Sequence, residues 1–376
     1  MAHKIRKTAT IAVACIVFLA GQLMALAAEP VEVAHLGGEL TPRQPQVAVG
    51  DDGVIHVAFG VGDTVYCSTS ADGGKSYGDR VEVGTVKRLA LGMRRGPRIA
   101  AGAETVVITA VSHDDGRVLA WRSNDEGRTW TGPVSVNDNS PATANEGLQA
   151  LAAAPNGDLH CVWLDHRING KNQIFGAVSV DGGRTWSDNR LVYRSPSGTV
   201  CECCHPATTF DSEGALYVMW RNSLSGSRDM YATVSRDGGK TFSKASKLGS
   251  GTWKLDACPM DGGYLAATKP GQVTTVWRRD TQILRSESPR GDEQLLGTGQ
   301  QPWVSGTPEG AWVVWLSQRP GDLWLAAPNT RQPVKLAGNA SDPVIASSPG
   351  GKGPIVTVWE AGRGREARIM ALLLGD

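Results

Sequence analysis

Three cysteines and a histidine crowd five consecutive positions, Cys201-Glu202-Cys203-Cys204-His205, and a further cysteine stands in the polar segment Trp253-Lys254-Leu255-Asp256-Ala257-Cys258-Pro259-Met260-Asp261. Three chemistries suit such a set. Outside the cytosol cysteines oxidise, and Cys258 could bridge to the cluster as a disulfide. Alternatively the thiolates and the imidazole are metal ligands: on extended backbone Cys201 and Cys203 point one way and Cys204 the other, so two thiolates chelate while His205 or Cys258 completes the shell. Sulfur donors favour Cu(I), with Zn as the second choice, and the spacing is not that of a common zinc ribbon. The third reading is a reactive thiol, activated by the adjoining His and Arg side chains. A combination, one bridge plus two ligands, is also open.

Arginines and carboxylates gather in the neighbouring segments: Asp165-His166-Arg167, Arg221-Asn222, Arg228-Asp229 and Arg278-Arg279, with Glu146 and Arg43 further away in the chain. Their charges balance over the whole, with 38 Lys and Arg against 37 Asp and Glu. No basic block interleaves with aromatics, so nucleic acid and anionic membrane are not expected partners. A small anionic ligand, a glycan or a metal is, and a protein partner remains open. Cys67 and Cys161 fall inside expected strands and read as small core residues, as His56 and His160 do as packing or hydrogen-bonding groups. His113 and His166 lie in expected loops.

The elements that must position these residues repeat along the chain. A short apolar strand recurs, ending at Phe59, Ala110, Trp163, Trp220, Trp277, Trp315 and Trp359. Each interval has room for four short strands, the content of one propeller blade. A leading strand begins at Pro45, Pro97, Pro206, Pro302 or Pro343, and 46 glycines supply turns. The last copy ends after its third strand, and Val31 to Leu36 can supply the fourth, closing a ring with no free sheet edge.

Four copies carry an identical turn between third and fourth strands: Ser70-Asp72-Gly74-Ser76-Tyr77, Ser123-Asp125-Gly127-Thr129-Trp130, Ser179-Asp181-Gly183-Thr185-Trp186 and Ser235-Asp237-Gly239-Thr241-Phe242. Asp accepts backbone N–H bonds, Gly takes a positive φ, and the aromatic plugs the blade. In these Asp boxes the chain resembles the sialidase (neuraminidase) superfamily over nearly all of residues 29–376. The resemblance implies one all-β propeller domain with the boxes, Asp72, Asp125, Asp181 and Asp237, as structural turns on the face opposite any active site. Seven four-stranded blades are expected; six, as in sialidases, is the alternative. The cysteine segments and the loops after second strands then share the other face, where function concentrates.

The resemblance also implies a catalytic pattern. Arg43-Gln44-Pro45 is similar to the family's Arg-x-Pro, and Arg43, Arg221 and Arg278 would form the carboxylate clamp of an exo-sialidase, with Asp165 or Glu146 as acid/base. No tyrosine follows Tyr264 to act as the family's late nucleophile, and Glu360 and Arg363 stand near that site instead. A retained scaffold with altered chemistry is therefore expected. Two further readings stand beside the metal-binding one: a divergent glycoside hydrolase acting on acidic sugars, and a disulfide-locked interaction scaffold. Lys4, Arg6 and Lys7 before the apolar run Ile11 to Leu26, with Ala25, Ala27 and Ala28, read as a secretory signal over 1–28, so the protein is expected to be periplasmic or secreted. Cys15 as a lipid anchor is the lesser alternative.

Overall fold

Every one of the seven recurring apolar segments forms the second strand of an antiparallel sheet: Ile55–Val61, Val106–Val111, Leu159–Ile168, Leu216–Arg221, Gln272–Arg279, Gly310–Leu316 and Ile355–Ala361. The computed structural model describes residues 29–375 except 103, 289–290, 329 and 352, and the leader read at 1–28, with Cys15, lies outside them. No α-helix occurs among the described residues.

Five blades are separate four-stranded sheets, running from Arg43 to Thr85, Arg98 to Ser135, Gln149 to Tyr193, Ala207 to Lys247 and Tyr264 to Thr298. The remaining strands appear as one seven-stranded sheet because Val334–Ser347 is a single bent strand. Its first half pairs with Gly321–Ala326, completing blade 6, and its second half pairs with Ile355–Ala361, starting blade 7. The first strands of successive blades pack against one another all the way round, from Arg43–Val49 back to itself, so the ring has seven blades. The last two repeats are short because their blades carry no Asp box and their links shrink, to Gly299 alone before blade 6 and to none before blade 7.

Val31–His35 completes blade 7 by pairing with Arg368–Gly375 from the other end of the chain. Val33 and Ala34 are buried there, and Glu32 pairs with Arg368 at 3.2 Å. The ring is thus closed by hydrogen bonds between its two termini, and no blade is left with a missing outer strand.

Between blades the sheet faces meet as apolar layers. Val162, Leu164 and Ile174 of blade 3 pack with Val218 and Trp220 of blade 4. Tyr217 and Met219 on the other face of blade 4 pack with Leu265 and Trp277 of blade 5. Cys67 and Cys161 are buried free thiols in such layers, as expected of small core residues. His160 is buried with its Nδ1 2.9 Å from the Thr208 hydroxyl; His56 is buried at the same position of blade 1.

The four Asp boxes are superimposable in their bonding. In blade 2 the Ser123 hydroxyl donates to Asp125 Oδ1 at 2.7 Å, and the Gly127 N–H donates to Ser123 Oγ at 2.8 Å. The Thr129 N–H and hydroxyl donate to the two carboxylate oxygens at 2.9 and 2.6 Å. Gly127 sits at φ +83°, where a Cβ would press on Thr69 of the preceding blade at 3.2 Å. The Thr129 hydroxyl and N–H, joined by the Ser123 hydroxyl, hold Asp125 down to about 2. A group depressed on folding stabilises above its unfolded pKa of 3.8 and loses that contribution as pH falls through about 2. Asp125→Ala is therefore expected to lower the melting temperature at pH 7, with the gap to wild type narrowing below pH 4, in parallel thermal scans.

Candidate functional site

The link from blade 3 to blade 4 carries the cysteine motif. The Val200 N–H donates to Asn172 O at 2.9 Å and the Cys201 N–H to Arg221 O at 3.0 Å, which fixes the motif against the end of the second strand of blade 4. Glu202 and Cys203 form a turn, with Glu202 exposed and Cys201, Cys203 and Cys204 buried. The turn overrides the alternation expected of an extended strand: all three sulfurs converge on one side, within 4.8 Å of one another. Cys201 Sγ lies 3.1 Å from Cys204 Sγ and 3.7 Å from Cys203 Sγ.

Cys203 is joined to Cys258, an exposed residue of the link from blade 4 to blade 5, by a disulfide, so the bridge ties together two adjacent blade links 55 residues apart. Cys201 and Cys204 remain free thiols. Met260 packs against the three cysteines, a contribution that Cys258-Pro259-Met260 carries in its spacing but that sequence reasoning did not assign. His205 does not join the sulfur group; its ring stacks on Trp303 at 5.8 Å. Burial and the charges of Arg94, Arg98 and Arg221 keep it neutral, well below the ordinary histidine value.

The two free thiols are unequal. The close contact with Cys204, together with the Arg221 charge, outweighs burial and brings Cys201 down to about 7. Cys204, more deeply buried and facing that sulfur, is pushed far up. The result is a buried pair of thiols of which Cys201 ionises first.

Arg221 holds this region together. Buried, it donates to Asp261 O at 3.0 Å, Arg228 O at 2.6 Å and Arg278 O at 2.9 Å, and it stacks over Trp253 at 5.2 Å. Arg278 stacks on the same indole at 5.4 Å, donates to Asp280 O and approaches Asp261 at 3.9 Å. Asp165 is fully buried and accepts from the Thr143 hydroxyl, the Trp163 indole N–H and the Arg167 backbone and guanidinium. Against the cost of burial these donors keep its pKa low. Glu146 lies on the link into blade 3, 3.5 Å from Arg95. The bonds of Arg221 and Asp165 tie them to the protein's own groups.

Arg43 belongs to a different cluster, at the junction of blades 6, 7 and 1. Gln44, Gln301 and Asp342 occupy equivalent positions ahead of Pro45, Pro302 and Pro343, each at positive φ, and each first strand bulges there. The bulges turn these side chains into inter-blade ties: the Gln301 N–H donates to Asp261 at 2.7 Å, Gln301 Nε2 to Asp342 at 2.9 Å, and the Gln44 N–H to Glu360 at 2.6 Å. Arg319 forms a two-pronged pair with Asp342 at 2.6 and 3.0 Å. Burial, then the Asp342 carboxylate, raises Glu360 to about 7 against the pull of Arg43. The repeated polar-Pro pair is the signal in the sequence that marks this ring of ties.

The Asp-box face has its own opening, a cavity of about 760 Å³ between blades 1, 2 and 3 lined by Asp51, Asp52, Glu104, Glu126 and Arg184. No helix among the described residues is long and apolar enough to cross a membrane.

Comparison with known proteins agrees with the architecture. No curated protein gives a significant match. A protein of unknown function from Dyadobacter fermentans is similar in structure, with a TM-score of 0.57 at 14% identity, covering 92% of this chain and 97% of that one. An ulvan lyase of polysaccharide lyase family PL25, solved bound to GlcA(1-4)Rha3S, has a TM-score of 0.56 at 12% identity over 92% and 96% of the two chains. A Trypanosoma rangeli sialidase in complex with the inhibitor DANA has a TM-score of 0.51 at 13% identity, over 92% of this chain and 59% of its own. These likenesses establish the fold. The family model for the BNR repeat-like domain matches residues 102–287, the stretch from blade 2 to blade 5 with three of the four Asp boxes. The chain thus carries a BNR repeat-like stretch over residues 102–287 within a β-propeller whose fold is similar to that of a sialidase.

Proposed function

We propose that this is an exported, sialidase-like propeller that binds one soft metal ion, Cu(I), through Cys201 and Cys204, with the Met260 thioether beside them. The observation that carries the reading is the convergence of three buried sulfurs within 4.8 Å on the face opposite the Asp boxes. Two close thiolates in an apolar, sulfur-lined pocket suit Cu(I), whereas Zn needs four donors, and His205, stacked on Trp303, stands outside the group. The Cys203–Cys258 bridge pins the two links that form the pocket, and such a bridge fits an oxidising compartment. Reconstituted anaerobically, the wild-type protein is expected to retain about one Cu(I) per chain after desalting, and Cys201→Ser or Cys204→Ser close to none. Cys67→Ser, in a core layer away from the cluster, should retain the wild-type amount. Equal copper in all four proteins would refute the reading.

A second reading has its own observation. Glu360 is an acid poised near neutrality beside Arg43, an arrangement suited to protonating a leaving group on an acidic sugar. In this reading the divergent glycosidase site lies at Arg43 and Glu360 rather than at Asp165 or Glu146. Turnover of a fluorogenic sialoside would then be lost in Glu360→Gln and in Arg43→Ala; no turnover by wild type ends this reading. The same variant tests the raised acid by stability. The folded carboxyl keeps its proton up to about 7 while the unfolded one releases it near 4.5, so this group's contribution falls as pH rises between those values. Glu360→Gln should flatten that part of the stability profile.

A further inference from the structure

The metal reading uses two of the four clustered sulfurs and leaves the disulfide as a mere brace. The spacing of the sulfurs suggests more. Cys201 Sγ is 3.1 Å from Cys204 Sγ on one side and 3.7 Å from Cys203 Sγ, half of the bridge, on the other. The buried dithiol therefore abuts a disulfide whose far sulfur belongs to the exposed residue Cys258. Cys201 and Cys204 are shielded from solvent, so a thiol or disulfide from outside meets the set at Cys258.

The geometry points to a thiol–disulfide relay in which a buried dithiol, Cys201 and Cys204, exchanges with the Cys203–Cys258 bridge and so delivers a thiol to the surface at Cys258. The Cys201 thiolate attacks Cys203 Sγ, forming the Cys201–Cys203 bond and breaking Cys203–Cys258. The electron pair leaves on the Cys258 sulfur, which takes a proton from solvent. The Cys204 thiol then attacks Cys201 Sγ; the pair of the Cys201–Cys203 bond leaves on Cys203, and the Cys204 proton passes to that Cys203 sulfur. One dithiol and one disulfide become one disulfide and one dithiol, with no outside oxidant or reductant. The inter-link bridge is replaced by the local Cys201–Cys204 bridge, and the segment around Cys258 is released from blade 4 with a free thiol able to attack the disulfide of a partner.

The relay does not depend on metal, and its test uses chelator-treated wild-type protein, so that failure of either reading is seen apart from the other. The native protein is incubated with a maleimide, quenched in acid, and mapped by mass spectrometry for labelled cysteines and for disulfide-linked peptides. The expected result is label accumulating on Cys258 and Cys203, with Cys201–Cys204 as the linked peptide, while the label over the four cysteines does not exceed two per chain. In Cys201→Ser the attacking sulfur is gone, and Cys258 should stay unlabelled with its bridge to Cys203 intact. Wild-type protein that retains only Cys203–Cys258 and never labels Cys258 overturns the relay, and this outcome needs no variant to fold. Labelling of Cys258 at the same rate in Cys201→Ser as in wild type overturns it as well.

Discussion

A chain beginning at residue 37 is expected to lose most of its stability and to aggregate when refolded, although it lacks only one short strand of the ring. Val31–His35 contributes four registered residues to Arg368–Gly375, buries Val33 and Ala34, and covers the outer edge of blade 7. Several backbone hydrogen bonds at about 1 kcal/mol each and a buried valine at roughly 1.5–3 kcal/mol place the direct loss on the order of 5 kcal/mol. The indirect loss is larger in consequence. Removing the strand exposes Arg368–Gly375 as a free edge, a template for pairing with other chains. It also removes the clasp that makes the ring a single closed object, so blades 7 and 1 are held only by side-chain packing and the hydrogen bonds of Gln44 to Glu360. Denaturant melts should show a lower midpoint and a broadened transition, and light scattering should show growth of aggregates on refolding. A circular permutant that joins residue 375 to residue 31 through a flexible linker and opens the chain elsewhere should keep the wild-type midpoint. A truncated chain with an unchanged melt would show that the strand does not close the ring.

Trp303→Ala should be the most damaging single substitution near the axis. Trp303 starts blade 6, is almost fully buried, and stacks with Tyr264 at 3.8 Å and with His205 at 5.8 Å, while Arg94 lies over it at 5.1 Å. It is the common wall between the polar ties of blades 5 to 7 and the base of the cysteine motif. Truncation of a buried tryptophan costs about 3–5 kcal/mol, and for a chain of this size roughly 2 °C of melting temperature follows each kcal/mol. A fall of about 6–10 °C is expected in a calorimetric scan. Because His205 lies on this ring and Cys204 precedes it in sequence, the variant should also loosen the motif, seen as faster labelling of Cys201 and Cys204 under native conditions. Trp303→Phe, which keeps an aromatic face for both stacks, should recover most of both effects. A melting temperature within 2 °C of wild type for the alanine variant would contradict this role.

How much of this could be read in the residues themselves follows from the range of the interactions. The blades were legible because each second strand is a local run with a tryptophan, phenylalanine or alanine at a fixed place, and because four Asp boxes put identical offsets between third and fourth strands. Ring closure was legible because the last copy lacks a strand and the first is preceded by one. The bent strand Val334–Ser347 was not, since Gly338, Asn339, Asp342 and Pro343 read as a turn between two strands, whereas the chain bends there and passes from blade 6 to blade 7 without leaving the sheet. At the site, the nearness of Cys258 to the cluster followed from the two cysteine segments sharing one face, while the choice between a disulfide and a metal ligand stayed open until the structure placed the Cys203–Cys258 bridge. The inward convergence of Cys201, Cys203 and Cys204 did not, because a two-residue turn at Glu202 and Cys203 breaks the alternation an extended strand would impose. The role of Arg221 was hidden for another reason. Its partners are backbone carbonyls of Arg228, Asp261 and Arg278, brought in from three separate segments, and carbonyls have no signature in a sequence. The same holds for Glu360, whose closest donor is the Gln44 N–H, 316 residues away.

The fold is shared with sialidases and with a polysaccharide lyase, while Arg221 and Asp165, two of the residues that resemblance would make catalytic, serve as internal ties. The sulfur cluster is where this chain departs from that pattern. The most direct test of that claim is an anaerobic Cu(I) titration of the purified protein, with free thiols counted before and after loading. About one copper should be retained per chain and two thiols lost from titration, both effects absent when Cys201 and Cys204 are replaced by serine. Copper not retained by the wild type while both thiols stay titratable, or retained equally by the doubly substituted protein, would contradict it.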